Sequence, residues 1–557
     1  MYPRMDSLVH DWGQIQGEGT VHQRGAGGAN AGVALPDALP GHSLFPSSPD
    51  SMQSIALFLL LALPWLNPFA PGPVPAAVPL LFSWVCIAAL LAAGSGGRIS
   101  APAGRLVAVS ALAWLGAGLL SSVMGLWQYL GAGDSFLPWI NQARLGDAFA
   151  NLRQRNQFAS LTSIALVALL WASFNFTKDD GVAGRFHGKH PWIAQLAAGL
   201  LAAGNAASSS RTGLLQLFLI CALCWIWGGW RQPFVRRVLL AAVLAYVLAA
   251  LVLPWLGGLD LMGHGMVARL RTGDAVCAGR LTLWANVLTL IAQEPWFGWG
   301  WGELDYAHYM TLYPGGRFCD ILDNAHNLPL HLAVELGIPV ALAVCAALGW
   351  IVWRTKPWRE TDPARQMAWG VLAVIFLHSL LEYPLWYGPF QMAVGLCVWM
   401  LCVTPRERIA GSPEGSLVVP VVRLALASAL FAAAAYAAWD YHRISQIYLT
   451  PEMRDPFYRG DTMSKIRESW LFRNQVRFAE LTTTPLKRDT AQWTFDTATG
   501  LLHFSPEPRV IEKVIESAVM LGRDDEALLH LVRYRAAFPE DYEKWRKANG
   551  PAGAPAR

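Results

Sequence analysis

The stretch that decides the fold is residues 238–257, which read VLLAAVLAYVLAALVLPWLG and contain no charged residue. An α-helix needs about 20 such residues to cross the hydrocarbon core of a bilayer. Similar runs recur along the chain, in which 54% of the 557 residues are apolar and 15% are charged. Soluble domains average about 25% charged residues. The sequence therefore predicts an all-α protein that crosses a membrane several times.

The apolar runs predict about eleven membrane-spanning helices. They also allow a re-entrant or interfacial helix near Leu281–Ala292. The predicted spans are residues 53–69, 74–94, 106–131, 157–176, 191–207, 213–230, 238–257, 327–353, 367–384, 389–404 and 417–438.

The basic residues predict the orientation of these spans. Lys and Arg concentrate in alternate connections, which the positive-inside rule places in the cytoplasm. With eleven spans, the N-terminus is then cytoplasmic, and the chain after about residue 439 lies on the outer face. The basic residues of the predicted cytoplasmic connections are Arg98, Arg105, Lys178, Arg185, Lys189, Arg231, Arg236, Arg237, Arg354, Lys356, Arg359, Arg365, Arg406 and Arg408.

This topology divides the chain into five regions. The first region, residues 1–50, is rich in Gly, Pro, Ser and Ala and is predicted to be disordered. Translation from Met52 is an alternative start. The regions are a disordered segment (1–50), N-terminal transmembrane helices (53–257), a large outer loop (258–326), C-terminal transmembrane helices (327–438) and a soluble helical tail (439–557). Within the tail, the periodicity of Arg509–Leu521 and Glu526–Ala537 predicts a helical hairpin.

Three of the predicted outer connections carry arginine, against the charge rule. A guanidinium near the apolar region costs up to about 2.5–3.5 kcal/mol on the insertion scale, so its presence in three connections favours a function. A planar guanidinium binds phosphate oxygens through two parallel hydrogen bonds, so paired arginines suit a diphosphate. Contact with lipid headgroups is the alternative for any single one. These arginines are Arg144, Arg153, Arg155, Arg211, Arg269, Arg271, Arg280 and Arg317.

A histidine ends the large outer loop, in the run DNAHNL at residues 323–328. Asn327 is placed to cap the next helix, which would hold His326 at the outer membrane surface. A neutral imidazole can accept a proton from an alcohol at neutral pH. A histidine at headgroup level without a catalytic role is the alternative. Further along the same helix, His331 and Glu335 are predicted to form an intramembrane polar pair that stiffens the site.

A second polar element precedes the fourth predicted span. Its amide and guanidinium groups favour hydrogen bonding to sugars or headgroups, although an ordinary polar loop has a similar composition. Its members are Asn151, Arg153, Gln154, Arg155 and Asn156. The aromatic run Trp296–Gly302 could stack on sugars or belong to the interfacial aromatic belt.

Two of the eight cysteines, Cys277 and Cys319, lie in the large outer loop. In an oxidising compartment they could pair and close a loop of about 42 residues, worth roughly 3–4 kcal/mol in the chain-entropy model. Two free thiols are the alternative. The cysteines show no zinc-binding spacing, and the net charge of +4 is too small to indicate a nucleic-acid partner.

Together these residues resemble the O-antigen ligase and polymerase superfamily. The resemblance is carried by Arg211 in a Ser-Arg-Thr-Gly sequence, by Arg280 followed by Trp284 and Pro295–Gly300, and by His326-Asn327 with Glu335 and Gly337. Within this superfamily, three further motifs resemble bacterial protein O-oligosaccharyltransferases of the PglL type. These motifs are residues 151–159, residues 381–387 with Glu382 and Tyr383, and Phe538-Pro539.

The resemblance implies a GT-C-like polytopic fold in the bacterial inner membrane. It implies transfer of an oligosaccharide from undecaprenyl diphosphate to Ser or Thr hydroxyls of an exported protein such as a pilin, on the periplasmic face, without a cofactor or metal. It assigns Arg211 and Arg280 to the diphosphate and His326 to deprotonation of the acceptor. The substrate-binding residues that it implies are Asn151, Arg153, Gln154, Arg155, Asn156, Asn327, Glu335, Glu382 and Tyr383.

Two alternatives remain open from the sequence. The same site could serve an O-antigen ligase or polymerase that acts on lipopolysaccharide. A transporter of lipid-linked sugars is less favoured, because transporters usually show two related halves and charged residues at mid-membrane, and this chain shows no such repeat.

Overall fold

The computed structural model describes residues 49–94, 103–175, 192–272, 276–403 and 418–549. Within these ranges the regular structure is helical throughout. Residues 1–48 of the predicted disordered segment 1–50 lie outside the described residues, as do several predicted cytoplasmic basic residues. The latter are Arg98, Lys178, Arg185, Lys189, Arg406 and Arg408.

The helices before the large outer loop are α1 (Pro49–Leu66), α2 (Ala77–Ala93), α3 (Ala103–Tyr129), α4 (Arg155–Asn175), α5 (Trp192–Ala207), α6 (Arg211–Ile226) and α7 (Pro233–Leu256). The loop contains α8 (Gly265–Thr272), α9 (Arg280–Gln293) and α10 (Leu304–Met310). After it come α11 (Leu328–Leu336), α12 (Ile338–Thr355), α13 (Pro363–Ser379), α14 (Gly388–Val403) and α15 (Val418–Ser445). The tail contains α16 (Thr462–Ile466), α17 (Arg473–Thr483), α18 (Ala491–Leu501), α19 (Pro508–Met520), α20 (Asp524–Ala537) and α21 (Pro539–Asn549).

Five helices in the described ranges are long and apolar enough to cross a membrane: α3, α4, α7, α12 and α15. Five shorter apolar helices accompany them: α1, α2, α5, α6 and α14. Every predicted span coincides with at least one helix, as expected for a polytopic membrane protein. The number of crossings and the orientation stay predictions.

Helix α4 lies in the centre of the membrane region, with 89% of its apolar segment buried. It packs against α3, α5, α6, α7 and α13. Small residues allow this packing: a Cβ added at Gly118 of α3 would collide with Ala165, and one at Gly213 of α6 would collide with Ala159. By contrast, only 6% of the apolar segment of α12 and 11% of that of α15 are buried, so these helices present their apolar side chains outward.

The span predicted at residues 327–353 is wrong as a single helix, because Gly337 separates α11 from α12. Gly337 has φ 88°, and a Cβ there would collide with the backbone carbonyl of Trp296. The aromatic run packs against this break, with the Ile338 N–H donating to the Pro295 carbonyl at 2.8 Å and the Trp299 N–H to the Val334 carbonyl at 2.9 Å. Only glycine combines this backbone conformation with so close an approach.

The large outer loop folds around a small core of its own. Leu283, Val287 and Leu290 of α9 pack with Leu304 of α10 and Val334 of α11. Cys277 and Cys319 form a disulfide, with their Cα atoms 5.3 Å apart. The loop is therefore a packed helical segment.

The tail is helical and packs on that loop. Its core includes Val510, Ile511 and Val514 of α19 together with Tyr309 of α10. Helices α19 and α20 form the predicted hairpin, turning at Gly522 with φ 72°. The predicted helix bounds differ from these by at most two residues.

Contacts bring the predicted outer connections to one end of the helices. Arg153, before α4, donates to the carbonyls of Pro68 at 2.9 Å and Ala70 at 3.1 Å, between α1 and α2. The Tyr441 hydroxyl, at the end of α15, donates to the Pro71 carbonyl at 2.6 Å. Predicted cytoplasmic connections meet elsewhere, as Trp227 donates to the Pro357 carbonyl at 2.8 Å. Which of these ends faces the cytoplasm stays a prediction.

Candidate active site

The carboxylate of Glu382 is the centre of the candidate site. It lies in the connection between α13 and α14 and is only 7% exposed. One of its oxygens accepts from Arg280 Nη2 at 2.5 Å and from Asn156 Nδ2 at 2.8 Å. The other lies 2.8 Å from His326 Nδ1 and accepts from Gln154 Nε2 at 3.3 Å. Four residues that the sequence predicted for the site thus contact Glu382, which is itself a fifth predicted site residue.

Arg280 is the first residue of α9, and two features hold that helix in place. The disulfide between Cys277 and Cys319 closes the chain just before it. The indole N–H of Trp284 donates to the Ala325 carbonyl at 3.1 Å, one residue before His326. Helix α9 therefore carries the arginine and also fixes the segment that presents the histidine.

His326 is held by a local turn with φ 50°, a left-handed conformation that is uncommon for a residue with a side chain. Its N–H donates to the Asn324 side chain at 2.9 Å. Asn327 caps α11 by accepting from the Leu330 N–H at 3.1 Å, and its amide donates to the Leu380 carbonyl at 3.0 Å. The cap thus ties His326 to the connection that carries Glu382.

A short chain of hydrogen bonds links Glu382 to the start of α6, where Arg211 lies. The Ser210 hydroxyl donates to the Asn156 side chain at 2.6 Å. The Ser210 hydroxyl oxygen also caps α6, because it accepts from the Gly213 N–H at 3.0 Å. Arg211 is the first residue of α6. Its backbone therefore lies next to a serine that is two hydrogen bonds from Glu382.

The charges around Glu382 keep it ionised. Burial would raise the pKa of its carboxyl group, but the hydrogen bond and charge of His326, together with the charge of Arg280, lower the pKa to about 2. At neutral pH, Glu382 is a carboxylate that accepts hydrogen bonds from its neighbours.

Aromatic side chains stand beside this cluster. Tyr383 meets the His326 ring edge-on, with ring centroids 5.0 Å apart, and stacks on Tyr387 at 5.9 Å. Trp386 lies 5.1 Å from the His331 ring. A small cavity here is lined by Asn324, Leu328, His331, Ser379, Glu382, Tyr383, Leu385 and Trp386. Flat rings beside a charged cluster can stack on sugar rings.

The structure places four other predicted substrate-binding residues in supporting positions. Asn151 is buried and donates to the Trp65 carbonyl at 2.7 Å, while Arg153 contacts the connection between α1 and α2. Arg155 pairs with Asp147 at 3.1 Å. Glu335 is buried, 3.6 Å from His331.

Two features of the site were missed by the sequence reasoning. Ser210 joins α6 to Asn156, and its signal was available, since a serine directly before an apolar helix is a common N-cap. The role of Glu382 as a shared acceptor had no local signal, because its partners lie 56 to 228 positions away in sequence. The most distant is Gln154, and Arg280 is 102 positions away.

Comparison with known families gives matches in three separate parts of the chain. Three family models match: "Protein glycosylation ligase" over residues 148–171, "O-Antigen ligase" over residues 196–345 and "Virulence factor membrane-bound polymerase, C-terminal" over residues 366–552. These ranges contain Asn156, Arg280 with His326, and Glu382, respectively. Over these ranges the chain is similar to the O-antigen ligase family of membrane proteins.

Within that family, the resemblance to protein O-oligosaccharyltransferases of the PglL type is confirmed by two curated relatives from Acinetobacter baylyi. A "General O-oligosaccharyltransferase" is 24% identical over 329 residues, which is 58% of this chain and 55% of the relative. A "ComP-specific O-oligosaccharyltransferase" is 24% identical over 256 residues, or 45% and 43%. The chain therefore spans about half the length of the curated relatives it matches. No solved structure matches it.

Proposed function

We propose that this chain transfers an oligosaccharide from a polyprenyl diphosphate carrier to Ser or Thr hydroxyls of exported proteins, on the outer face of the inner membrane. The observation that carries the proposal is the shared contact of Arg280 and His326 with Glu382. It joins a phosphate-binding group and a proton acceptor in one site. The relatives named above, both O-oligosaccharyltransferases, support the same reaction class.

Arg280 binds the diphosphate of the donor. One guanidinium nitrogen is held by Glu382, and the side chain is still 26% exposed, so its other N–H groups remain to meet a ligand. A guanidinium fixed in this way stabilises the negative charge that grows on the leaving diphosphate. Arg211, at the start of α6, is proposed to bind the same group from the side of Ser210.

His326 takes the proton of the acceptor hydroxyl. Its Nδ1–H donates to the Glu382 carboxylate, which orients the ring and leaves the Nε2 lone pair as the base. The acceptor oxygen then attacks the anomeric carbon and the carbon–oxygen bond to the diphosphate breaks, which inverts that carbon. The hydroxyl proton moves to Nε2, and the bonding electrons move to the diphosphate.

Transfer to lipopolysaccharide is the second candidate. It is favoured by the O-antigen ligase and membrane-bound polymerase family models, which cover more of the chain than the protein glycosylation ligase model. The chemistry at the donor would be the same, and only the acceptor would differ.

Co-expression with a lipid-linked glycan pathway and candidate pilins tests the proposal, with the intact mass of each pilin as the readout. Wild-type protein is expected to add one glycan mass, while His326→Ala and Arg280→Ala abolish the addition with the protein still inserted. Matched controls are His442→Ala and Arg467→Ala, which change exposed side chains of the tail region.

Full transfer by both site variants would refute the assignment of the site. Glycan found only on the lipid A core would select the lipopolysaccharide reaction instead. If neither acceptor is modified by the wild-type protein, the transferase proposal itself fails.

A further inference from the structure

Helix α9 has an apolar face that no other described part of the chain covers. Its opposite face packs into the core of the large outer loop through Leu283, Val287 and Leu290. On the open face, Leu281 is 82% exposed and Leu288 is 55% exposed. This face consists of Leu281, Ala285, Leu288 and Ala292, which recur at helical spacing. We name these four residues the outer face of α9.

The outer face of α9 lacks the polar residues that a water-exposed helix surface normally carries. Residues 281–293 contain no charged side chain, and the one charged residue of the helix, Arg280, is bound to Glu382. The outer face of α9 therefore consists of leucine and alanine, although the helix lies outside the central bundle. A helix with such a surface is stabilised by contact with an apolar partner.

The surface continues into aromatic residues and then into a lipid-facing span. Trp296 is 71% exposed and Phe297 is 87% exposed, just after the end of α9. The Ile338 N–H donates to the Pro295 carbonyl at 2.8 Å, so this pair sits at the start of α12. Only 6% of the apolar segment of α12 is buried within the chain. One apolar surface thus runs from α9 through two aromatic rings to a membrane-spanning helix.

We propose that the outer face of α9, with Trp296 and Phe297, is a docking surface for bilayer lipid and lies in the outer interfacial layer of the membrane. Continuity with α12 selects lipid as the partner, because α12 is long and apolar enough to cross a membrane and only 6% of its apolar segment is buried within the chain. Tryptophan and phenylalanine at the junction fit the boundary between headgroups and acyl chains.

The placement has a consequence for the donor. Arg280 begins α9, so a lipid-embedded α9 holds the guanidinium at headgroup level, where the diphosphate of a lipid-linked sugar lies. The carrier then reaches Arg280 by lateral movement within the leaflet. This consequence rests on the proposed function, whereas the lipid contact of α9 does not.

Photo-crosslinking of the full chain in nanodiscs of phosphatidylethanolamine and phosphatidylglycerol tests the lipid contact. p-Benzoylphenylalanine replaces Leu288, and separately Leu281, and intact mass after irradiation reports the adduct. The matched control is Leu528 of the tail, which is 59% exposed but belongs to α20. Retention of the disulfide between Cys277 and Cys319 reports that each variant has folded.

The expected result is a mass increase of one phospholipid at positions 288 and 281 and none at position 528. Equal lipid adducts at 288 and 528, or a cross-link from 288 to a second copy of the chain, would overturn the proposal. Lipid adducts in a protein that transfers no glycan would refute the proposed function while leaving the lipid surface intact.

Discussion

Replacing Glu382 with glutamine keeps the shape of the side chain and removes the charge that Arg280 and His326 share. One carboxylate oxygen serves Arg280 and Asn156, and the other serves His326 and Gln154. Glutamine has one oxygen and one NH₂ group. In either orientation, the NH₂ group must face a donor that the carboxylate accepted.

Each orientation damages the site in a different way. If the NH₂ group faces Arg280, two donors meet and the guanidinium loses its anchor. If it faces His326, the ring must accept at Nδ1, so its proton moves to Nε2 and the proposed base is lost. We expect Glu382→Gln to lower transfer by about 10²–10⁴-fold, the range typical of a lost acid–base group.

The loss of stability follows from the charge of Glu382. One pKa unit corresponds to about 1.4 kcal/mol, so lowering the pKa from 4.5 to about 2 corresponds to about 3 kcal/mol. Because the folded pKa is the lower one, this contribution is present above pH 4.5 and is lost as the pH falls toward 2. Glu382→Gln is therefore expected to lower the free energy of unfolding at pH 7 by about 3 kcal/mol.

Glycan transfer in cells and thermal unfolding of the purified protein measure the two effects. Glu543→Gln is the control, because Glu543 lies on the tail surface and pairs with Arg546. Wild-type transfer and an unchanged melting temperature in Glu382→Gln would refute the reasoning.

Asn156→Ala should lower transfer, because the side chain joins Glu382 to α6 and each buried partner left unpaired costs about 1–3 kcal/mol. Cys277→Ser should lower the melting temperature, since a bond across 42 positions is worth about 4 kcal/mol in the chain-entropy model. Burial and the charge of Arg533 lower the pKa of His530 to about 4, so docking of the tail should weaken as the pH falls from 6.5 toward 4. Hydrogen exchange in α20 measures that docking.

Each of these predictions has a control and a contrary outcome. Gln492→Ala alters an exposed amide of the tail, and equal losses in Asn156→Ala and Gln492→Ala would contradict the first. A reductant-insensitive melting temperature would contradict the second. His530→Gln should remove the pH dependence, because the ring that meets Tyr309 at 3.0 Å can then no longer be protonated. An unchanged pH profile in that variant would contradict the third.

The positions of the membrane helices could be predicted from the sequence because each is marked by its own apolar run. The break at Gly337 could not, since apolar residues continue on both sides and the break depends on the backbone of Trp296, 41 positions earlier. The cysteine pairing was left open because spacing alone does not place two Cα atoms 5.3 Å apart.

The site was predictable by residue type and less so by role. Arginine, histidine and amide groups in the predicted outer connections indicated Arg280, His326 and Asn156. The same chemistry also indicated Asn151 and Arg153, which hold carbonyl groups of the protein itself. Residues that bind a ligand and residues that stabilise the fold use the same polar groups. Residue type alone therefore does not distinguish the two roles.

The shared carboxylate of Glu382 has a consequence for biogenesis. Gln154, Asn156, Arg280 and His326 all leave the ribosome before it does. Until Glu382 emerges, Arg280 and His326 lack the carboxylate that holds them in place. A nascent chain that ends before Glu382 contains the other four residues of the cluster but lacks the acceptor that aligns them. The cluster around Glu382 is thus completed only after most of the chain has been synthesised.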